Sequence, residues 1–220
     1  MTSTHSVIIY NRMSVEEQIQ VVDEFTGEPT GVLVPRSELF AKKLWCRSTN
    51  IFVLDAEGQV LCHQRSVNKE RYPGVWSTHF GGHVTEGESF RINAIKEIEE
   101  EIGLHVHAFQ MVPWRTSRKE AERLWMRDFI TIYNGPVEDL ALQESEIQQV
   151  RFMAPNEIVR TSKDETLGFV WNELAGVHDF REDYQCLRAV LTACMDVGIF
   201  NTNYRELHKW HPLQDDRVLV

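Results

Sequence analysis

The segment Gly82–Leu104, GHVTEGESFRINAIKEIEEEIGL, constrains this chain more than any other stretch. Ile95, Ile98 and Ile102 recur at helical spacing and predict a helix over 89–102 with one apolar stripe. On that helix Glu97, Glu100 and Glu101 fall within little more than one turn, where positions i, i+3 and i+4 share a face. The arrangement is locally unfavourable. Like charges at this spacing repel, and Glu99–Glu101 stand just before Gly103, a helix-ending glycine, where the helix dipole favours cations. A segment that breaks its local preferences points to a functional site. A hard divalent cation held by oxygen ligands would remove the repulsion. The competing reading, a solvated acidic helix face, explains neither the glycines nor Glu88.

The same residues resemble the Nudix box, G-x5-E-x7-R-E-U-x-E-E-x-G-U, with U a bulky apolar residue. Gly82, Glu88, Glu97, Ile98, Glu100, Glu101, Gly103 and Leu104 stand at the required spacing, and Lys96 replaces the family's arginine. The resemblance implies an α/β/α sandwich around a mixed sheet. It also implies hydrolysis of a diphosphate joined to another moiety, usually a nucleoside diphosphate linked to a group X. Magnesium is the expected cofactor, with manganese as an alternative. By motif position Glu97, Glu100, Glu101 and the carbonyl of Gly81 correspond to metal ligands. Glu88 corresponds to a residue that steadies the loop and helix or lies near the metals, and it reads equally as a helix-start carboxylate near the dipole. Lys96 can pair with Glu100 at i+4 but lacks the planar fork of arginine, so it is expected to affect rate or metal affinity. A further acid often follows the box in this family. Glu144 and Glu146 are the candidates, and either reads equally as a solvated loop residue.

A narrower resemblance concerns the preceding stretch. Gln64-Arg65-Ser66, Lys69, Tyr72-Pro73-Gly74-Val75-Trp76 and Gly82-His83 are similar to isopentenyl-diphosphate isomerase, which shares the fold. That similarity implies Arg65 and Lys69 as contacts of the substrate diphosphate, with Gly82 beside them. Exposed loop charge is the plain alternative. The isomerase needs a cysteine acid/base where this chain has Gly81. Its histidine ligand falls near Cys46, and its paired glutamates, expected near Leu124–Met126, are absent. The leading expectation is therefore a hydrolase. An isomerase and a catalytically silent domain that binds a nucleotide or a partner are the alternatives.

The rest of the sequence narrows the class. With 220 residues the chain is long enough for a sizeable core in a single domain. The formal net charge of −10 argues against a general nucleic-acid surface or an anionic membrane, but not against a phosphorylated substrate, since bound cations invert the local sign. Cys46, Cys62, Cys186 and Cys194 have no zinc or CxxC spacing, and no signal peptide is evident. Reduced thiols and a cytoplasmic location are expected. No apolar run is long enough to span a bilayer. His79 and His83 lack a third nearby ligand, and there is neither a GxSxG elbow nor a P-loop. A small-molecule diphosphate is the expected partner, and a homodimer stays open.

The elements read as mostly strands with one central helix and helices at the end, an α+β or α/β sandwich instead of a regular βαβ wind. An N-terminal hairpin arm covers 1–44, the core 45–160, and a helical extension 161–220. Ser37 is expected to cap a short helix to Trp45. Strands are expected at 50–54, 59–63, 75–80, 105–114, 124–133 and 148–153, with a short helix from Pro155 and an amphipathic one over 181–198.

Overall fold

A computed structural model describes residues 16–161, together with residues 184, 185, 188, 189, 192 and 193, which are helical. Leu187, Val190, Leu191, Cys194 and Met195 of the helix expected over 181–198 lie outside the described residues. The chain adopts a mixed α+β fold. β1 (Gln18–Val22) and β2 (Pro29–Pro35) form the expected antiparallel hairpin. The short helix α1 (Arg36–Ala41) follows, but Ser37 does not cap it. Pro35 occupies the cap position, and the Ser37 backbone N–H donates to Glu16 Oε1 at 2.7 Å.

The central sheet is built on β3 (Cys46–Leu54), whose last four residues, Ile51–Leu54, are buried. β7 (Leu124–Ile132) runs parallel to β3 in register from Cys46↔Leu124 to Leu54↔Ile132, and β6 (Val112–Lys119) adds antiparallel to β7. On the other side β4 (Val60–Arg65) pairs with β3 only at Leu54↔Val60. Beyond that pair the two strands part. β4 takes β8 (Ile147–Met153) and the two-residue β5 (Trp76–Ser77) as its partners. The freed edge of β3 is taken by the segment after β5, through bridges Ile51↔Phe80 and Ser48↔His83. Helix α2 (Phe90–Ile102) packs Ala94, Ile98 and Ile102 into the core with Ile51, Val53, Leu61, Phe80 and Phe129. Ile95 is only partly buried at the border of that core. A last helix, α3 (Pro155–Thr161), follows β8. Among the described residues no helix is long and apolar enough to cross a membrane.

Two strand expectations shift. Residues 105–111 are not a strand, and β6 begins at Val112. Leu104 and Val106 mimic an alternating pattern because they pack against the core from a loop, which turns at His107, whose carbonyl accepts from the Gln110 N–H at 2.8 Å. The run 75–80 pairs as a strand only at Trp76–Ser77. There Ser77 Oγ donates to the His79 carbonyl at 2.8 Å and turns the chain from β4 toward β3.

Candidate functional site

Helix α2 is fixed at both ends by local chemistry. Ser89 Oγ accepts from the Ile92 N–H at 3.3 Å, and Gly103 closes the helix in the left-handed region at φ 68°. This frame aims Glu97 and Glu101, one turn apart, at the glycine pair that runs beside the middle of β3, where the Thr49 N–H donates to the Gly82 carbonyl at 2.9 Å. The Gly81 N–H donates to Glu101 Oε2 at 3.4 Å. The Glu97 carboxylate lies so close to Gly82 that a Cβ there would stand 2.6 Å from Oε1. Gly81 has φ 127°, and a Cβ on it would stand 2.2 Å from the Thr49 carbonyl oxygen. Gly81 therefore excludes a side chain by contact and by backbone angle, whereas at Gly82 a Cβ would displace the Glu97 carboxylate.

Asn93 ties the parts together and was not singled out from the sequence. It is fully buried, accepts from Thr49 Oγ1 at 2.6 Å, and its amide nitrogen donates to Glu97 Oε1, Glu88 Oε2 and the His83 carbonyl at 3.3, 3.1 and 3.0 Å. Its signal was available: an asparagine four residues before Glu97, next to the apolar stripe. Glu88 joins loop to helix, accepting also from the Thr85 N–H at 3.3 Å and meeting Lys96 Nζ at 3.3 Å. Burial opposes its charge, but the hydrogen bonds from Asn93, Thr85 and Lys96 outweigh it and hold the carboxyl below its usual range. Lys96 thus pairs with Glu88, not with Glu100.

The three glutamates are not equivalent. Glu97 and Glu101 face one another's charge, while Glu100 is exposed beside Lys96 and Ile92 on the outer surface of α2. Burial first, and then the charge of Glu100, pushes Glu97 up to about 7. Burial and then Glu97 hold Glu101 well above the usual carboxylate range, against the opposing Gly81 N–H. Neither carboxylate forms an ion pair with a described residue. Among the described residues no three histidine, cysteine, aspartate or glutamate side chains are gathered closely enough to hold an ion as they stand. The charge of Glu100 still reaches Glu97, where it is the second cause of the upward shift. Two confined acids beside the backbone of a tight glycine turn form a donor set suited to a hard divalent ion.

Arg65 and Lys69 come to the same side of the molecule, but both already have partners. Arg65 Nε donates to the Arg71 and Tyr72 carbonyls at 3.2 Å each, holding its own loop in shape. Lys69 is paired with Glu146. The two acids expected after the box separate cleanly: Glu144 is exposed, whereas Glu146 lines a small polar cavity together with Glu101, Gly81 and Arg65. His83 is half-buried against Phe40, with ring centroids 5.7 Å apart, and loss of solvent and then Arg36 lower it to about 4.

Comparison with known proteins agrees with this geometry. The family model of the NUDIX domain matches residues 44–169. The chain belongs to the Nudix family. An uncharacterised Nudix hydrolase of Pseudomonas aeruginosa is 34% identical over 139 residues, covering 63% of this chain and 79% of that protein. One of Yersinia pestis is 33% identical over 150 residues, covering 67% and 79%. An isopentenyl-diphosphate Delta-isomerase of Kocuria rhizophila is 26% identical over 150 residues, covering 66% and 82%, in keeping with the similarity seen around Arg65 and Lys69. Among solved structures, DR0079 from Deinococcus radiodurans superposes with a TM-score of 0.62 at 17% identity, covering 77% of this chain and 98% of that one. That likeness speaks for the Nudix fold alone. Within the Nudix box, Lys96 reaches back to Glu88 where the family arginine would stand, so the substitution keeps a cation inside the glutamate set.

Proposed function

We propose that this Nudix protein is a magnesium-dependent hydrolase that cleaves the diphosphate bond of a nucleoside diphosphate derivative or another organic diphosphate. Its catalytic core is the segment 45–160 of a single domain. The observation that carries the reading is the pair Glu97 and Glu101, aimed from one helix face at Gly81 and Gly82. Glu97, Glu101 and, after rotation, Glu100 would hold the ion with the Gly81 carbonyl. Bound there, magnesium would neutralise the phosphate oxygens and lower the pKa of a coordinated water. Glu88, Asn93 and Lys96 position the glutamates. Glu146 is the carboxylate placed to take the proton from the attacking water as the new P–O bond forms and the bridging P–O bond breaks. Arg65 and Lys69 supply positive charge for the diphosphate. Manganese would serve in place of magnesium, and the cytoplasm is the compartment in which such a protein would work.

Gly81 separates this reading from an isomerase. A cysteine there would drive its Cβ into the Thr49 carbonyl oxygen, so the isomerase's acid/base has no room on this backbone. Phosphate release from a panel of nucleoside diphosphate derivatives should require Mg²⁺ or Mn²⁺ and stop in excess EDTA, and isopentenyl diphosphate should yield no dimethylallyl diphosphate. Full turnover with chelator present, or protein-dependent isomer formation, overturns the assignment.

A further inference from the structure

Helix α1 brings the N-terminal arm to one margin of the site. His83 follows Gly82 in the chain, and its ring stands edge-on to Phe40 of α1. Phe40 is 39% exposed, and two guanidinium groups gather on it. Cζ of Arg71 lies 4.8 Å from the ring centre, and Cζ of Arg36 lies 5.9 Å from it. Both charges reach His83, and that of Arg36 also reaches Arg65, so three guanidinium groups crowd this margin. Arg36 has one exposed carboxylate, Glu17, at 3.4 Å. Arg71 forms no ion pair among the described residues. An aromatic ring offsets an exposed guanidinium only weakly, so positive charge is left over here in a chain whose formal net charge is −10.

The loop that carries Arg71 is held in a costly shape. Tyr72 has φ 53°, in the left-handed region that a bulky side chain avoids. Arg65 keeps it there. Its Nε and Nη2 donate to the Arg71 carbonyl at 3.2 and 3.0 Å, and Nε also reaches the Tyr72 carbonyl at 3.2 Å. The product of that strain is a guanidinium laid over Phe40 with no carboxylate to answer it.

A planar guanidinium fork matches the oxygens of a phosphate, and a phosphate monoester carries a charge of about −1.5 to −2 at pH 7, enough to answer two cations. A nucleobase suits the place less well, because Arg71 already covers the ring on which it would stack. We propose that Arg71 and Arg36 form a subsite for a phosphate monoester on the group linked to the diphosphate. The substrate is then an organic diphosphate that bears a further, separate phosphate. Neither arginine lines the cavity of Gly81, Glu101 and Glu146. The inference rests on the reading above for one point, the seating of the diphosphate beside Arg65.

The test measures binding apart from turnover. The probes are methylene-bridged diphosphonates, which cannot be cleaved at the bridge, esterified with alkyl chains of increasing length that end in either a phosphonate or a methyl ether. In calorimetry on the whole protein with Mg²⁺, the terminal phosphonate should tighten binding at least about tenfold at the chain length that spans the two places. Arg71→Gln should abolish that gain and leave the methyl ether compound unaffected, and Arg71→Lys, which keeps the charge but not the fork, should restore part of it. No gain at any chain length overturns the proposal. So does a parallel loss for both compounds in Arg71→Gln, which would place Arg71 on the diphosphate itself. A gain that depends on Arg71, without cleavage of any diphosphate, would sustain the subsite and remove the hydrolase reading. Cleavage without the gain would do the reverse.

Discussion

Each acidic residue of α2 has its own surroundings, and these set what a single substitution should do. Glu97→Gln and Glu101→Gln should each lower kcat by at least about a hundredfold, because a charged ligand is lost from the transition-state environment. Glu100→Gln should fall with them, although its side chain is exposed. Glu99→Gln is the control. It sits about 100° around the helix from Glu100 and, among the described residues, pairs with His105 at 3.2 Å, so turnover should be nearly unchanged. Steady-state kinetics on the four variants decides this, and equal damage from Glu99→Gln would make the cluster structural. Gly81→Ala should destabilise by about 1–3 kcal/mol in chemical denaturation, because its Cβ collides with backbone that cannot rotate away. Of these residues the glutamates were legible in the sequence through helical spacing, and the glycines only through the resemblance to the Nudix box. Asn93 was not, because a sequence shows a polar residue but not the three acceptors that fold around it. The pairing of Lys96 was misread for a similar reason: i+4 spacing offered Glu100, while the loop brought Glu88 closer.

Elements were legible where period and punctuation agreed, as in α2 and the β1–β2 hairpin. Removing the Ser89 cap tests that agreement. Ser89→Ala should cost about 1 kcal/mol of stability by thermal or denaturant melting, and Ser89→Thr should recover most of it. An unchanged melting midpoint in Ser89→Ala would mean that the helix start is held by packing, not by its cap. The start of β6 was misplaced because Leu104 and Val106 pack inward from a loop and imitate strand alternation. Hydrophobic pattern reports burial, and burial is not confined to regular structure. The parting of β3 from β4 was invisible for another reason. Both segments read as good strands, and nothing local to either says that they share one pair and then separate around polar side chains.

The behaviour of the molecule with pH follows from the confined carboxyls. Glu97 and Glu101 have folded pKa values raised above their unfolded ones, so between pH 4.5 and about 7 the metal-free folded state binds the extra protons. Their contribution to stability is therefore greatest at the acid end of that window and declines as pH rises through it. His63, His79 and His83 are shifted downward, chiefly by loss of solvent, and act in the opposite sense, since the unfolded chain takes up the proton first as pH falls below the ordinary imidazole value of 6.5. The difference between magnesium-loaded and chelated protein isolates the carboxyls. The rise in melting temperature caused by saturating Mg²⁺ should grow steadily from pH 5 to pH 7.5, and a shift independent of pH would mean that the ion binds elsewhere. A last consequence lies in the pair Lys69 and Glu146, which joins the loop after β4 to the start of β8. On the proposed reading, an incoming diphosphate would compete with Glu146 for one ammonium group. A substrate that won Lys69 would also release Glu146, so the step that recognises the anion would unmask the proposed base. The resting protein would keep its water-activating carboxylate neutralised until there is a phosphorus atom to attack.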